Sequence, residues 1–322
     1  MFTFMKRELM DEEQRAFFKQ EKNRARMIDD ILPKIDTIPV PGPVLTYVLN
    51  AVNDDSSTLN EIARQVQSDN ALAANVLRLS NSAYEYRKKI ESIQDAVIWL
   101  GLGRIQVLIA RLLGMEIQVH HSREHLALEI REHSLLTAIC CRVISARYSG
   151  KSYPDENYMF TLGMLHDVGR LVILNYFYDA FVEIETLQRN ERLKVEEAED
   201  RVMNITHSEI TRRLLGDVWK LPEEFHAPIQ YHHRPRTMSY DFERYRLPVF
   251  MLHLGNAVAD FDYLYRLCHE RDKSALLKKD VINSLDDLDL TPDFFDGKLY
   301  AEILAQFKVF SLPEEAGAGL GS

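Results

Sequence analysis

The 322-residue chain carries 39 Lys and Arg against 49 Asp and Glu, a formal net charge of −10, so it lacks the basic footprint on which non-specific DNA or RNA binding rests. Hydrophobic residues make up 46% and charged residues 27%, with only 11 prolines and 13 glycines, a composition that excludes a disordered or collagen-like chain and suits a helix-rich globular one. Three cysteines without a CxxC pair (Cys140, Cys141 and Cys268) read as small core residues of a reducing cytoplasm rather than a disulfide framework.

Residues 5–30 alternate acids and bases around Phe17, Phe18 and Met27, and are expected to form an exposed charged helix over 1–29. This stretch is too charged for a signal peptide, and no apolar run reaches the ~18 residues of a membrane span. A Pro-rich turn follows at Pro39–Pro43. Thr58 and Glu61 have the capping-box spacing, which predicts a helix running to about Gln67. Asp69 is a cap for the next helix, whose Leu72, Val76 and Leu79 share one face. Ser92 with Asp95 predicts another start, Gly101 a stop, and 103–113 a further short helix.

After a polar linker at His120 and His121, Ser122 opens a long helix to about Tyr148, with His133 on its core-facing side. A helix from about Asp155 to His166 follows, then one from Arg170 to Arg189, and another before His207. Pro222 is expected in the first turn of the next helix, residues 235–245 as a loop, and Leu247–Leu267 as one core helix holding His253 and Asn256. The acidic stretch 280–296 reads as a solvated face that could meet a basic partner, 299–310 as a short amphipathic helix, and the Gly-Ala-Gly-Leu-Gly-Ser ending as disordered.

The chemistry-bearing residues are the histidines and their neighbours. His166 and Asp167 are adjacent, closing an apolar helical run and preceding Gly169. Imidazole and carboxylate side by side bind a divalent cation and hold a water for attack on a phosphate ester. His133, His207 and the His232-His233 pair lie on other helices, and helical bundles assemble metal sites from one or two ligands on each of several facing helices. Such a donor set suits iron, manganese or zinc better than calcium. The alternative is structural: His, Asp and Asn side chains can satisfy one another as a buried hydrogen-bond network. Asp260, one turn beyond Asn256, is a further carboxylate that a rotated helix would bring in. No Gly-rich phosphate loop, nucleophile elbow or dinucleotide fingerprint occurs.

Several segments taken in order resemble one family. They are Pro39-Val40-Pro41, the run Ile62–Ala73, Val76-Leu77-Arg78-Leu79-Ser80-Asn81-Ser82-Ala83-Tyr84, and Ile93–Val97 with Leu100-Gly101. Glu132-His133-Ser134, Gly163–Leu171 and Tyr231-His232-His233 complete the series. In this order they resemble an HDOD domain over about residues 30–265. The resemblance implies an all-α fold, an HD-like helical bundle (122–267) with an additional N-terminal helical lobe (30–118); the acidic residues that follow are expected to form a helical tail over 268–322. It also implies a bacterial signalling or regulatory role, in a family related to HD and HD-GYP phosphohydrolases but generally regarded as lacking their hydrolase activity. By resemblance, His133, His166 and Asp167 match the first three ligands of the HD metal site, and His207, His232 and His233 the extra histidines of the HD-GYP arrangement.

Two positions depart from those patterns. Asn256 stands where the HD pattern has its closing aspartate, and an amide compensates metal charge less well than a carboxylate. Arg170 stands where HD-GYP enzymes carry lysine, a planar fork in place of a compact ammonium, and remains an anion-binding candidate. Arg234-Pro235-Arg236 follows the histidine pair in place of Gly-Tyr-Pro. The expectation is a cytoplasmic, non-catalytic regulatory protein that binds a signalling partner, or a nucleotide, with no DNA and no membrane. The alternative is a metal-dependent phosphohydrolase acting on a nucleotide or cyclic dinucleotide. The roughly thirty residues before the HDOD-like region are too few for a receiver domain, so the input is expected to arrive by binding, modification or expression.

Overall fold

A computed structural model describes residues 33–34, 43–52, 57–68, 72–73, 76, 79–80, 90, 92–115, 119–148, 154–219, 221–273 and 275–310. Among them every regular element is helical, as the resemblance implies. The expected charged helix over 1–29, the Asp69 cap and the chain's last twelve residues lie outside the described residues.

Helix α1 (Pro43–Val52) leads to α2 (Leu59–Gln67). Thr58 and Glu61 make the predicted capping box: the Glu61 amide donates to the Thr58 hydroxyl at 3.3 Å, and the Thr58 amide donates back to the Glu61 carboxylate at 2.9 Å. Ile62, Ala63 and Val66 are buried from one face, as are Leu72, Val76 and Leu79 further on. Helix α3 (Ile93–Met115) starts where Ser92 accepts the Asp95 amide at 2.9 Å. It breaks at Gly101 (φ 72°, ψ 169°), a conformation essentially confined to glycine, so the stop read there is a kink between two helical arms.

A single turn at His121–Arg123 precedes α4 (Glu124–Arg147), the central helix, against which α5 (Glu156–Leu165) and the helices over 168–176, 246–258 and 297–310 pack. The Asp155 carboxylate caps α5 through the amides of Asn157 and Tyr158. The single helix expected over 170–189 is two, α6 (Val168–Tyr176) and α7 (Tyr178–Glu191), broken at Phe177. The reason is Arg123, whose guanidinium donates to the carbonyls of Leu174 and Asn175 at 3.1 and 3.0 Å. Those are carbonyls a continuing helix would need for its own bonds.

Then come α8 (Val195–Met203), α9 (His207–Arg213) running into a π-turn at Leu214–Val218, and α10 (His226–Tyr231). Pro222 stands one place before its predicted role, as the extended residue ahead of a 3-10 turn at Glu223–Phe225. The loop expected at 235–245 contains two further 3-10 turns. The single helix expected over 247–267 is α11 (Arg246–Val258) and α12 (Phe261–His269), because the Asp260 carboxylate caps α12 at the Tyr263 amide, 2.7 Å away.

Helices α13 (Lys279–Asp287) and α14 (Gly297–Phe310) fold back on this bundle, α13 against α11 and α14 against α4 and α12. Val281, Leu285, Leu288, Phe295, Leu299 and Ile303 join the core while most acids of the segment face outward. Arg147 holds α14 from α4 through Asp296 at 3.0 Å and Glu302 at 3.1 Å.

Candidate metal centre

The His166-Asp167 pair occupies the tight junction where α5 ends and α6 begins, with Asp167 in a non-helical conformation (φ −104°, ψ 11°). Gly169 lets the start of α6 lie directly on α9: a Cβ there would stand 2.2 Å from the His207 carbonyl oxygen and 2.7 Å from the Thr211 hydroxyl. Thr211 binds the junction together. Its hydroxyl accepts the Gly169 amide at 2.8 Å and lies 2.8 Å from the His207 carbonyl and 3.2 Å from that of His166. His207 therefore opens α9 beside the His166-Asp167 pair, while His232 and His233 close the cluster from the end of α10.

Three imidazole Nε2 atoms converge on one carboxylate oxygen. Asp167 Oδ1 lies 3.2 Å from His166 Nε2, 3.2 Å from His207 Nε2 and 3.8 Å from His232 Nε2. His233 Nε2 approaches His207 Nε2 to 3.1 Å. Two groups of ligand atoms result, each lying within 4.8 Å of one another: Asp167, His207, His232 and His233 in one, His133, His166 and Asp167 in the other. Asp167 is common to both. His166, His207 and His232 are fully buried, and Asp167 nearly so.

The outer nitrogen of each inner ring is anchored, which sets what the inner nitrogen can do. His166 Nδ1–H donates to the Gly163 carbonyl at 2.8 Å and His232 Nδ1–H to the Ile229 carbonyl at 2.7 Å. Burial drives both rings to the neutral form: His166 is pushed down to about 4 despite Asp167 beside it, and His232 lies well below the ordinary histidine value. With the proton on Nδ1, each Nε2 presents a lone pair to the centre. His207 differs, since its Nδ1 and main-chain amide both donate to the Glu199 carboxylate, at 2.8–2.9 Å. Burial opposes its charge, but Glu199 and Asp167 outweigh burial and raise it to about 10. Burial likewise works against the Asp167 carboxylate, yet the facing His166 and His207 and the nearby Arg170 hold it well below the usual range.

A divalent cation fits this arrangement. His166 Nε2 is buried and makes no hydrogen bond; its lone pair faces Asp167 Oδ1, a second electron-rich atom, 3.2 Å away. Buried polar atoms are normally paired, and a cation between lone pairs is what neutral imidazoles and a carboxylate pair with. The His/Asp cluster could thus hold a metal.

All eight residues singled out in the sequence meet here. Asn256, at the expected closing position on α11, is engaged with His133: His133 Nε2–H donates to the amide oxygen at 2.9 Å. Arg170 is bound by two carboxylates, Asp167 at 3.5 Å and Glu185 at 3.1 Å, so its guanidinium is already neutralised within the chain. Asp260 stays out, being spent as the cap of α12. Sequence reasoning missed Glu196, Glu199 and Thr211. Glu196 accepts from Ser208 Oγ at 2.7 Å and Arg234 Nε at 2.6 Å. The acid-rich stretch Val195-Glu196-Glu197-Ala198-Glu199 looks like a solvated helix, and only the three-residue spacing of Glu196 and Glu199 marks one face of it as special.

The HDOD domain family model matches residues 38–235, more than half of the chain. An HDOD domain protein of unknown function from Geobacter sulfurreducens shares 22% identity, with a TM-score of 0.65 over 90% of this chain and 97% of its own. A Marinobacter aquaeolei VT8 protein, described as a candidate signal transduction protein, is 19% identical with a TM-score of 0.66, over 90% of this chain and 67% of its own. A candidate phosphohydrolase from Shewanella amazonensis SB2B is 22% identical with a TM-score of 0.62, over 87% and 98%. An uncharacterized protein of Treponema pallidum (strain Nichols) is 22% identical over 210 residues, or 65% of this chain, which spans 40% of that curated relative's length. At these identities the solved structures share the all-helical fold, and the family match carries the rest: this chain belongs to the HDOD family.

Proposed function

We propose that this HDOD chain is a non-catalytic regulatory module of a bacterial signalling pathway, acting by binding a protein partner, or a nucleotide, rather than by turnover. The observation that carries the reading is the pairing of His133 with Asn256. A hydrolytic site needs a metal whose charge is compensated and a water set against the substrate. Here the position that would add a second carboxylate supplies an amide, and that amide consumes the Nε2 of His133. The neutralised Arg170 leaves no uncommitted cation in the cluster for a phosphate.

Asp167, His166, His207, His232 and His233 would hold a metal, with Glu199 orienting His207. A metal bound there supplies positive charge and Lewis acidity. The residues around it fix ring orientation and exclude water, which suits a structural or sensing centre as well as a catalytic one. No helix among the described residues is long and apolar enough to cross a membrane, and the acidic composition supports a protein or small-ligand partner over DNA.

The test is metal content by elemental mass spectrometry on protein purified without chelator or nickel, followed by a phosphodiester screen with manganese, iron and zinc. Expected is metal binding without hydrolysis. Hydrolysis of a nucleotide or cyclic dinucleotide that is lost in His166→Ala would overturn the proposal in favour of a metal-dependent phosphohydrolase. The convergent lone pairs on Asp167 are what favour that second reading.

A further inference from the structure

Helix α11 lies outside the matched family region yet touches both halves of the cluster. Asn256 meets His133, in one ligand group, at 2.9 Å. One turn earlier, His253 donates its Nδ1–H to the main-chain carbonyl of His232, in the other group. Residues three apart on a helix share a face, so both contacts leave one side of α11. The His232 carbonyl follows the last turn of α10, where carbonyls lack a partner within the helix. His232 is thus fixed twice, its ring by the Ile229 carbonyl and its backbone by His253. His253 is itself largely buried, on a helix whose outer side is covered by α13.

Resting on the reading of the cluster as a metal centre, we infer that His253 is a positioning residue for the His232-His233 pair, and that with Asn256 it makes α11 the brace fixing the spacing of the two ligand groups. His253 touches no ligand atom of the cluster in this arrangement. It acts by holding the chain from which two of the imidazoles project. A donor of the same reach replaces it, so an asparagine amide serves where an alanine does not.

The experiment compares wild type, His253→Ala and His253→Asn as full chains, folding being checked by thermal melting. Ring ¹⁵N resonances of the metal-free protein are recorded first, then cobalt(II) is titrated and followed by its visible absorption. Expected are displaced His232 and His233 resonances in the alanine variant, an unmoved His133, and recovery in the asparagine variant. Cobalt affinity is expected to fall about 10–100-fold in the first and return in the second, as for other residues that orient metal ligands. If the alanine variant does not fold, His253→Leu, which fills the volume without a donor, replaces it. Resonances of His232 and His233 that stay in place without the donor overturn the inference. A wild-type chain that takes up no cobalt overturns the metal reading instead, and the ring resonances still decide the role of His253.

Discussion

The helices before residue 119 and those from α4 onward are built on different principles. Among the described residues of the first group, the buried polar side chains are Ser80 and Gln106; the second group buries His166, Asp167, Glu196, Glu199, His207, Thr211, His232 and His253, among others. An apolar core of the first kind is held by area removed from water and tolerates local change. A buried polar cluster is stable only when its members pair, so removing one leaves its partner exposed to the full desolvation cost. The contrast marks where specificity resides: the first region supplies bulk and shape, the second a geometry that must be right at the level of single atoms.

One glycine from each region gives the largest test of this contrast. Gly169→Ala drives a Cβ into backbone at 2.2 Å, while Gly101→Ala meets nothing within 4 Å and suffers only from its positive φ. We expect the first to cost about 3 kcal/mol or more and to dismantle the cluster, and the second about 1–3 kcal/mol, by urea denaturation. Equal losses would erase the distinction. Next, Glu199→Ala strands the His207 ring and its amide, for an expected loss of about 3 kcal/mol, whereas Asp200→Ala on the exposed side of the same helix should cost less than about 0.5 kcal/mol.

The pH profile sharpens the same point. His207, raised to about 10, binds its proton more tightly folded than unfolded, so its stabilisation is complete below about pH 6.5 and is lost as pH rises toward 10. His166, lowered to about 4, is protonated first in the unfolded chain, so stability also falls as pH drops below about 6.5. The urea midpoint should therefore peak near neutrality, and stability that climbs steadily from pH 7 to 10 would contradict the His207–Glu199 pairing. The smallest effect is expected at the seam between the regions. Gln106 donates to the Asn157 carbonyl at 2.6 Å and the Thr161 hydroxyl at 2.7 Å, and Gln106→Leu should cost about 1 kcal/mol.

Much of this was legible in the residues, and the exceptions have physical causes. Caps at Thr58, Ser92 and Asp155 announce their helices because the signal is local. The breaks at Phe177 and Ala259 could not be read, because the causes are Arg123 reaching from 51 residues away and a carboxylate, Asp260, whose choice between ligand and cap depends on the third dimension. The five histidines and Asp167 of the cluster were legible because such residues are scarce on apolar helical faces, and Asn256 and Arg170 were legible through the family resemblance. Glu196 and Glu199 were not, since an acid-rich helix looks the same whether one face is buried or none.

The Asn256–His133 bond joins positions 123 residues apart, and Thr211 reaches 45 residues back to the His166 carbonyl. Contacts of such separation form only after long loops have closed, whereas the capped helices form locally and early. The cluster is thus expected to be organised late in folding. Loosening it should quicken unfolding and leave the refolding rate nearly unchanged, so the centre would set how long the molecule stays folded more than how fast it folds.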